Sequence, residues 1–351
     1  MIQVLHIIQS PDNPNWTLLK DLSKTEIRQV ILQTAESQPS AADDNYLQTI
    51  EADQVQPADF RIIHAHSWMT DGAIAWELHQ KLGLPYCVSL TEEDIHYARK
   101  MSLKMHSDRL RILQDAAKVI FPHPQFFHAF NQALSDNQAN GLFSKTITIF
   151  RSIDPLFLQQ LSLHKPVALV HTRLLYIVQH PEIEDEISLI AKAMKEIQHQ
   201  NLDISLTVAT KELTEKDKSK IERLASVQLI RYQSPEALLN IYRDYHIAIM
   251  VGEEISFTCH YAEALSQGMP VIFSRNSCLD GLLDNNMFRI EKESSHLLAE
   301  KIIEISQRYA TAVQHISELH PLLKFNGSEI AQEHLRVYSI SDSLHQRGAR
   351  S

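Results

Sequence analysis

Short runs of β-branched and aliphatic residues recur along the chain at 2–8, 29–33, 61–65, 86–90, 118–121 and 146–150, each bounded by polar or turn residues. Longer amphipathic stretches lie between them. One covers 71–81, opened by Thr70-Asp71-Gly72 and stopped at Gly83-Leu84-Pro85. This alternation predicts a parallel sheet covered by helices. A second series then begins, with strand-like runs at 166–170, 204–208, 228–230, 247–251 and 271–273. The helical patterns between them fall at 187–199, 216–224, 235–242 and 257–267. Two such series joined near 151–155 predict an α/β protein of two Rossmann-like, doubly wound domains facing a cleft, where ligands bind at the carboxyl ends of the strands. The expected boundaries are 1–153 for the first domain and 154–325 for the second. A C-terminal helix over 326–340 is expected to cross back to the first domain, and 341–351 to form a disordered polar tail.

Composition narrows the function. The chain has 351 residues, 44% of them hydrophobic and 22% charged, and so can bury two cores. It has 33 Lys+Arg against 43 Asp+Glu, a net charge of −10, which argues against nucleic acid as a partner. Only 8 glycines occur, and no G-x-G-x-x-G or Walker loop is present, so a glycine-rich phosphate cradle is absent. Cys87, Cys259 and Cys278 are far apart and show no C-x-x-C spacing, which predicts neither a disulfide framework nor a zinc knuckle. No basic n-region precedes Ile2, and no apolar run approaches the ~20 residues of a membrane span, so a cytoplasmic location is expected.

The stretch 235–272 carries the most information. It reads as a helix, a buried strand, an acidic loop, and a helix stopped at Gly268, whose missing Cβ permits a left-handed cap; another strand follows. The loop 252–256 would lie where a strand's carboxyl end meets a helix N-terminus, a place suited to a diphosphate. This stretch resembles the donor-binding region of the GT-B glycosyltransferases, in particular the retaining family-4 group with its pattern E-G-F-G-x-x-x-x-E-A-x-A-x-G-x-P-V. Glu263, Ala264, Gly268, Pro270 and Val271 fall on that pattern without a gap, and Phe257 matches its Phe. Leu238, Leu239 and Tyr242 match the preceding L-x-x-L-Y helix approximately. Ile62-Ile63-His64-Ala65-His66 with Asp71-Gly72, the stretch from Val88 to Ile95, and Ile149 to Asp154 resemble further segments of the family in the same order.

The resemblance implies transfer of a sugar from a nucleotide-sugar donor to a glycan or lipid-linked acceptor, with retention, with no cofactor and no metal. It implies that Glu263 holds the nucleotide ribose, with Ser256, Phe257 and Thr258 lining the donor site. The family's sugar-contacting Glu is Ile255 here. Glu254 replaces it if the loop slips by one residue; otherwise Glu254 belongs to a solvated acidic turn. The family's first-domain His is Thr91, with Glu92 and Glu93 following, and Asp94 alone survives there as a candidate catalytic group. Diphosphate departure needs positive charge. Arg173 stands at about the family's arginine position, or is an ordinary surface arginine. Arg275 stands beside a lost glycine turn, where it would supply charge unless it serves only the surface.

Other chemistries find less support. His64 and His66 alternate on one strand and share a face, yet no third ligand is near in sequence and H-E-x-x-H is absent, so no metal site is expected. The basic segment 99–111, carrying Arg99, Lys100, Lys104, Arg109 and Arg111, permits peripheral contact with a membrane at its inner face or makes a solvated helix face. The missing His, Glu and glycines keep a second function open: a catalytically inactive GT-B protein acting as a binding module or as the partner subunit of a glycosyltransferase. A GT-B sugar epimerase is a weaker third.

Overall fold

A computed structural model describes residues 2–8, 16–32, 48–51, 54–100, 103–134, 141–159, 170–178, 184–200, 202–211, 218–219, 221, 227–251, 260–275, 277, 279–280, 283, 287–291, 293–319 and 325–348. The chain divides into two compact units, one of residues 1–152 with 327–351 and the other of 153–326.

The first unit contains strands β1 (Ile2–Ile7), β2 (Ile27–Leu32), β3 (Gln48–Ile50), β4 (Ile62–Ala65), β5 (Tyr86–Ser89), β6 (Lys118–Phe121) and β7 (Thr146–Thr148). They form one parallel sheet in the order β3-β2-β1-β4-β5-β6-β7. The order reverses between β1 and β4, which is the switch point where such sheets bind ligands at their carboxyl edge. Helices α1 (Trp16–Leu22), α2 (Asp71–Leu82), α3 (Glu92–Lys100), α4 (Leu103–Asp115) and α5 (Pro124–Ala133) connect the strands. The central strands are buried along their whole length, because helices cover both faces. Gly83 ends α2 with φ 69°, a left-handed conformation that a Cβ would strain.

The second unit contains α6 (Pro155–Gln159), β8 (Thr172–Ile177), α7 (Glu184–Gln198), β9 (Ile204–Thr210), β10 (Val227–Arg231), α8 (Pro235–Asp244), β11 (Ile247–Met250), α9 (His260–Ser266), β12 (Val271–Ser274), β13 (Arg289–Ile290), α10 (Ser295–Gln307) and α11 (Tyr309–Leu319). Its sheet, also parallel, has the order β10-β9-β8-β11-β12-β13, with the switch point between β8 and β11. Its first strand, β8, has Leu174 to Ile177 buried and paired with β9; of the run 166–170 expected as a strand, 166–169 lie outside the described residues. Gly268 caps α9 at φ 75°.

The last helix, α12 (Gly327–Gly348), belongs to the first unit and packs on α1, β4 and β5. Ile330, Ala331, Val337 and Tyr338 join the core formed by Val4, Leu18, Leu22 and Cys87. Burying Ile330 and Val337 stabilises by about 1.5–3 kcal/mol each. The helix runs past residue 340, where a disordered tail is expected from sequence, as far as Gly348. The physical reason is its buried stripe, 330, 331, 334, 337, 338 and 341, which keeps helical spacing but includes His334 and Ser341. Both are polar, so the apolar pattern ends at Tyr338 while the helix does not.

Candidate functional site

The second unit gathers a polar group at the carboxyl ends of its strands. Ser234 caps α8, its hydroxyl accepting from Ala237 N at 3.3 Å with Pro235 in the first turn, and Leu238, Leu239 and Tyr242 form its buried stripe. Tyr242 Oη donates to Glu263 Oε2 at 3.0 Å. His260 Nδ1 donates to the same oxygen at 2.7 Å. Glu263 is buried in the first turn of α9, where two donors on one oxygen hold its carboxylate in place. His260 Nε2 lies 3.4 Å from Tyr232 Oη, just past the end of β10. Lys211, just past the end of β9, sets its ammonium 5.9 Å from the centroid of the Tyr232 ring. Gln267 Nε2 donates to Phe157 O at 3.2 Å, tying the end of α9 to α6.

The candidate cations part company here. Arg275 follows β12 directly, at the carboxyl edge; it is largely exposed and pairs with Glu291 at 3.3 Å. Arg173 is the second residue of β8, so roughly 13 Å of strand separates it from the carboxyl edge at ~3.3 Å per residue. Its guanidinium stands 5.7 Å from the Tyr245 ring centroid. Expected just after a strand, Arg173 lies instead near the amino end of β8. The role expected of Arg173 at a departing diphosphate therefore does not fit its position. Lys211, which the sequence reading missed, occupies the edge instead. Its signal was available, since a lysine directly follows the run 204–210. Glu254, Ser256, Phe257 and Thr258 lie outside the described residues.

In the first unit Asp94 is buried in α3, and its carboxylate oxygens are engaged by four donors. Oδ2 accepts from Trp68 N at 3.0 Å, Thr91 N at 2.8 Å and Thr91 Oγ1 at 3.0 Å, and Oδ1 accepts from Met69 N at 3.1 Å. Burial pushes this carboxyl up, against the downward pull of those hydrogen bonds. Asp94 thus ties the loop after β4 to the start of α3, and the Thr91 hydroxyl is part of the same tie. The basic segment forms the end of α3 and most of α4. The side chains at 99, 100 and 103–108 lie outside the described residues.

The switch point of this sheet holds a group of histidines that sequence distance conceals. His6 on β1 is in register with His64 on β4, and His64 with Cys87 on β5. His6 Nδ1 lies 3.0 Å from His66 Nε2; His64 bonds Tyr338 Oη at 2.7 Å through Nδ1 and Ser89 Oγ at 2.8 Å through Nε2. His334 on α12 completes the group, its Nδ1 donating to Ile330 O at 2.9 Å. Burial first, then the neighbouring imidazoles, lowers His6 to about 3 and holds His64 and His66 well below the ordinary range. Burial lowers His334 to about 4. All four are neutral near pH 7. Beside them opens a small pocket lined by Ser89, Phe150, Arg151, Ser152, Ile330 and His334, among others.

Two Rossmann-like parallel units define the GT-B architecture. Solved structures carry the same fold over nearly the whole chain. HepE of Anabaena, in complex with UDP and glucose, matches with a TM-score of 0.71 and 15% identity, over 97% of this chain and 100% of that one. Sucrose-phosphate synthase from Thermosynechococcus elongatus matches at 0.66 and 14%, over 100% of both chains. A UDP-forming trehalose-phosphate synthase from Burkholderia xenovorans matches at 0.71 and 11%, over 97% and 99%. Residues 171–308, most of the second unit, match the family of glycosyl transferases group 1. None of the curated proteins matches the chain. Among the described residues no helix is long and apolar enough to cross a membrane.

Proposed function

We propose that this protein is a glycosyltransferase that takes a sugar from a nucleotide-sugar donor, a uridine diphosphate sugar by analogy with the complex of HepE, and transfers it with retention to a glycan or lipid-linked acceptor. The observation that carries this reading is Glu263. It sits in the segment that matches the glycosyl transferase family, at the carboxyl edge of the sheet, with one carboxylate oxygen held by Tyr242 and His260. Oε1 is then the oxygen that accepts the ribose hydroxyls. Lys211 and Arg275 flank the same edge and supply the positive charge that a departing diphosphate needs, with no metal assigned to that step. Glu254 remains the candidate for the sugar hydroxyls.

A second reading, a GT-B protein without turnover, draws support from Thr91. It occupies the family's histidine position, and its hydroxyl is bonded to Asp94. Thermal unfolding with UDP and UDP-glucose tests nucleotide binding. At a hundred times its Kd a ligand stabilises by about 2.7 kcal/mol, and Glu263→Ala should remove that gain. Absence of any shift across a nucleotide-sugar panel overturns donor binding. Binding without transfer or hydrolysis selects the second reading.

A further inference from the structure

The donor site read above assigns no role to His6, His64, His66 and His334, so a site built from them is tested independently of it. We propose that His6, His64 and His66 form a binding site for one divalent transition-metal ion of the zinc class, set into the switch point of the first sheet. Each ring offers one nitrogen, and the three nitrogens lie within 4.8 Å of one another. Zinc–nitrogen bonds of about 2.0–2.1 Å in tetrahedral geometry space their ligands about 3.3 Å apart. The 3.0 Å between His6 Nδ1 and His66 Nε2 is close to that spacing. His6 Nε2 is buried with no hydrogen-bond partner, an uncompensated polar atom within the group.

The surroundings suit an ion. Neutral imidazole is the ligating form, and each of the three rings offers a nitrogen to the group. Tyr338 Oη and Ser89 Oγ hold His64 from its two sides. Ligation takes one nitrogen from one hydroxyl and leaves the other hydroxyl to orient the ring. His334 faces the trio from α12, its ring centroid 5.7 Å from that of His64, and its Nδ1–H is committed to Ile330 O. The other nitrogen of His334 is therefore the one with a lone pair, and His334 also lines the pocket, which gives an ion and its water a way in. An all-imidazole set selects zinc, nickel or copper over magnesium and calcium. Without a carboxylate in the set the ion keeps its charge, so a chelator should remove it readily.

The test uses the tag-free full chain, stripped with chelator and titrated with cobalt(II) and then zinc. Expected are one ion per chain, a saturable visible band from cobalt that zinc abolishes, and a rise of about 5 °C or more in the tryptophan-detected Tm. All three tryptophans, Trp16, Trp68 and Trp76, belong to the first unit. His6→Gln and His66→Gln, which keep polarity and bulk, should each weaken binding at least tenfold. His296→Gln, at an exposed histidine beside Glu196 and Glu300 on the second unit, should leave it unchanged. Failure of the stripped wild-type protein to take up one ion overturns the proposal, whether or not the variants fold. So does loss of the ion in the His296 variant, or undiminished binding in both core variants, since the histidines would then form a dry hydrogen-bonded group.

Discussion

The two units share one architecture, a parallel sheet with a reversal of strand order beside its first strand, but they fill their carboxyl edges with opposite chemistry. In the first unit the edge carries neutral imidazoles, sealed under α12, which the same unit supplies. In the second it carries a carboxylate pinned by Tyr242 and His260, with the cations Lys211 and Arg275 at the ends of other strands of the same edge. A buried imidazole avoids its desolvation penalty by losing a proton, whereas a carboxylate keeps its charge only where donors meet it. The same backbone therefore carries neutral imidazoles at one edge and a donor-held carboxylate with two cations at the other.

The largest effect expected from breaking this contrast falls on Asp94. Asp94→Ala orphans three backbone amides and the Thr91 hydroxyl in a buried setting, and should destabilise the first unit by about 4 kcal/mol or more at roughly 1–3 kcal/mol per unsatisfied group. Tryptophan fluorescence would report it, and the nucleotide shift assigned to the second unit should persist where the variant folds. Loss of nucleotide binding without loss of stability would return Asp94 to the chemistry.

Acid should separate the units next. In chelated protein the histidines of the first unit have folded pKa values below their unfolded value of about 6.5, His6 at about 3 and His334 at about 4. The unfolded chain therefore binds protons first. Their contribution is full above pH 6.5 and is lost as pH falls toward 4, at up to ~1.4 kcal/mol per pH unit for each histidine. Stability from denaturant curves followed by tryptophan fluorescence should fall by about 3 kcal/mol or more between pH 7 and 5. A flat profile would show that the histidines are not buried as neutral groups.

Glu263→Gln keeps the shape of the second edge and removes its charge. It should weaken UDP binding at least tenfold and destabilise by about 1–2 kcal/mol, because a neutral amide accepts more weakly from Tyr242 and His260. Gly327→Ala probes how α12 is seated. Its Cβ would collide with the Asp21 carboxylate, so the Asp21 side chain must turn away from the helix N-terminus and from Lys24, at a cost of about 1–2 kcal/mol in the first unit alone. The smallest effect belongs to Arg275→Ala. Its exposed pair with Glu291 contributes well under about 1 kcal/mol to folding, so any loss of UDP affinity in that variant measures its part in the site.

Alternation of β-branched runs with amphipathic stretches was enough to set out two parallel α/β series, because burial of both sheet faces writes itself into composition strand by strand. Gly83 and Gly268 were legible as helix stops for the same local reason, and Glu263 through its place in a continuous motif. The tertiary structure decided everything that rests on register and on distance along the chain. It placed Arg173 second in β8, at the edge opposite the carboxyl ends. It brought His6, 58 positions earlier than His64, into register with it through parallel pairing. It carried α12 on past the last apolar residue of its buried stripe, because polar His334 and Ser341 are buried on its inner face. Local sequence records which faces are apolar, but which buried polar groups will meet depends on how strands align, and no single strand carries that information.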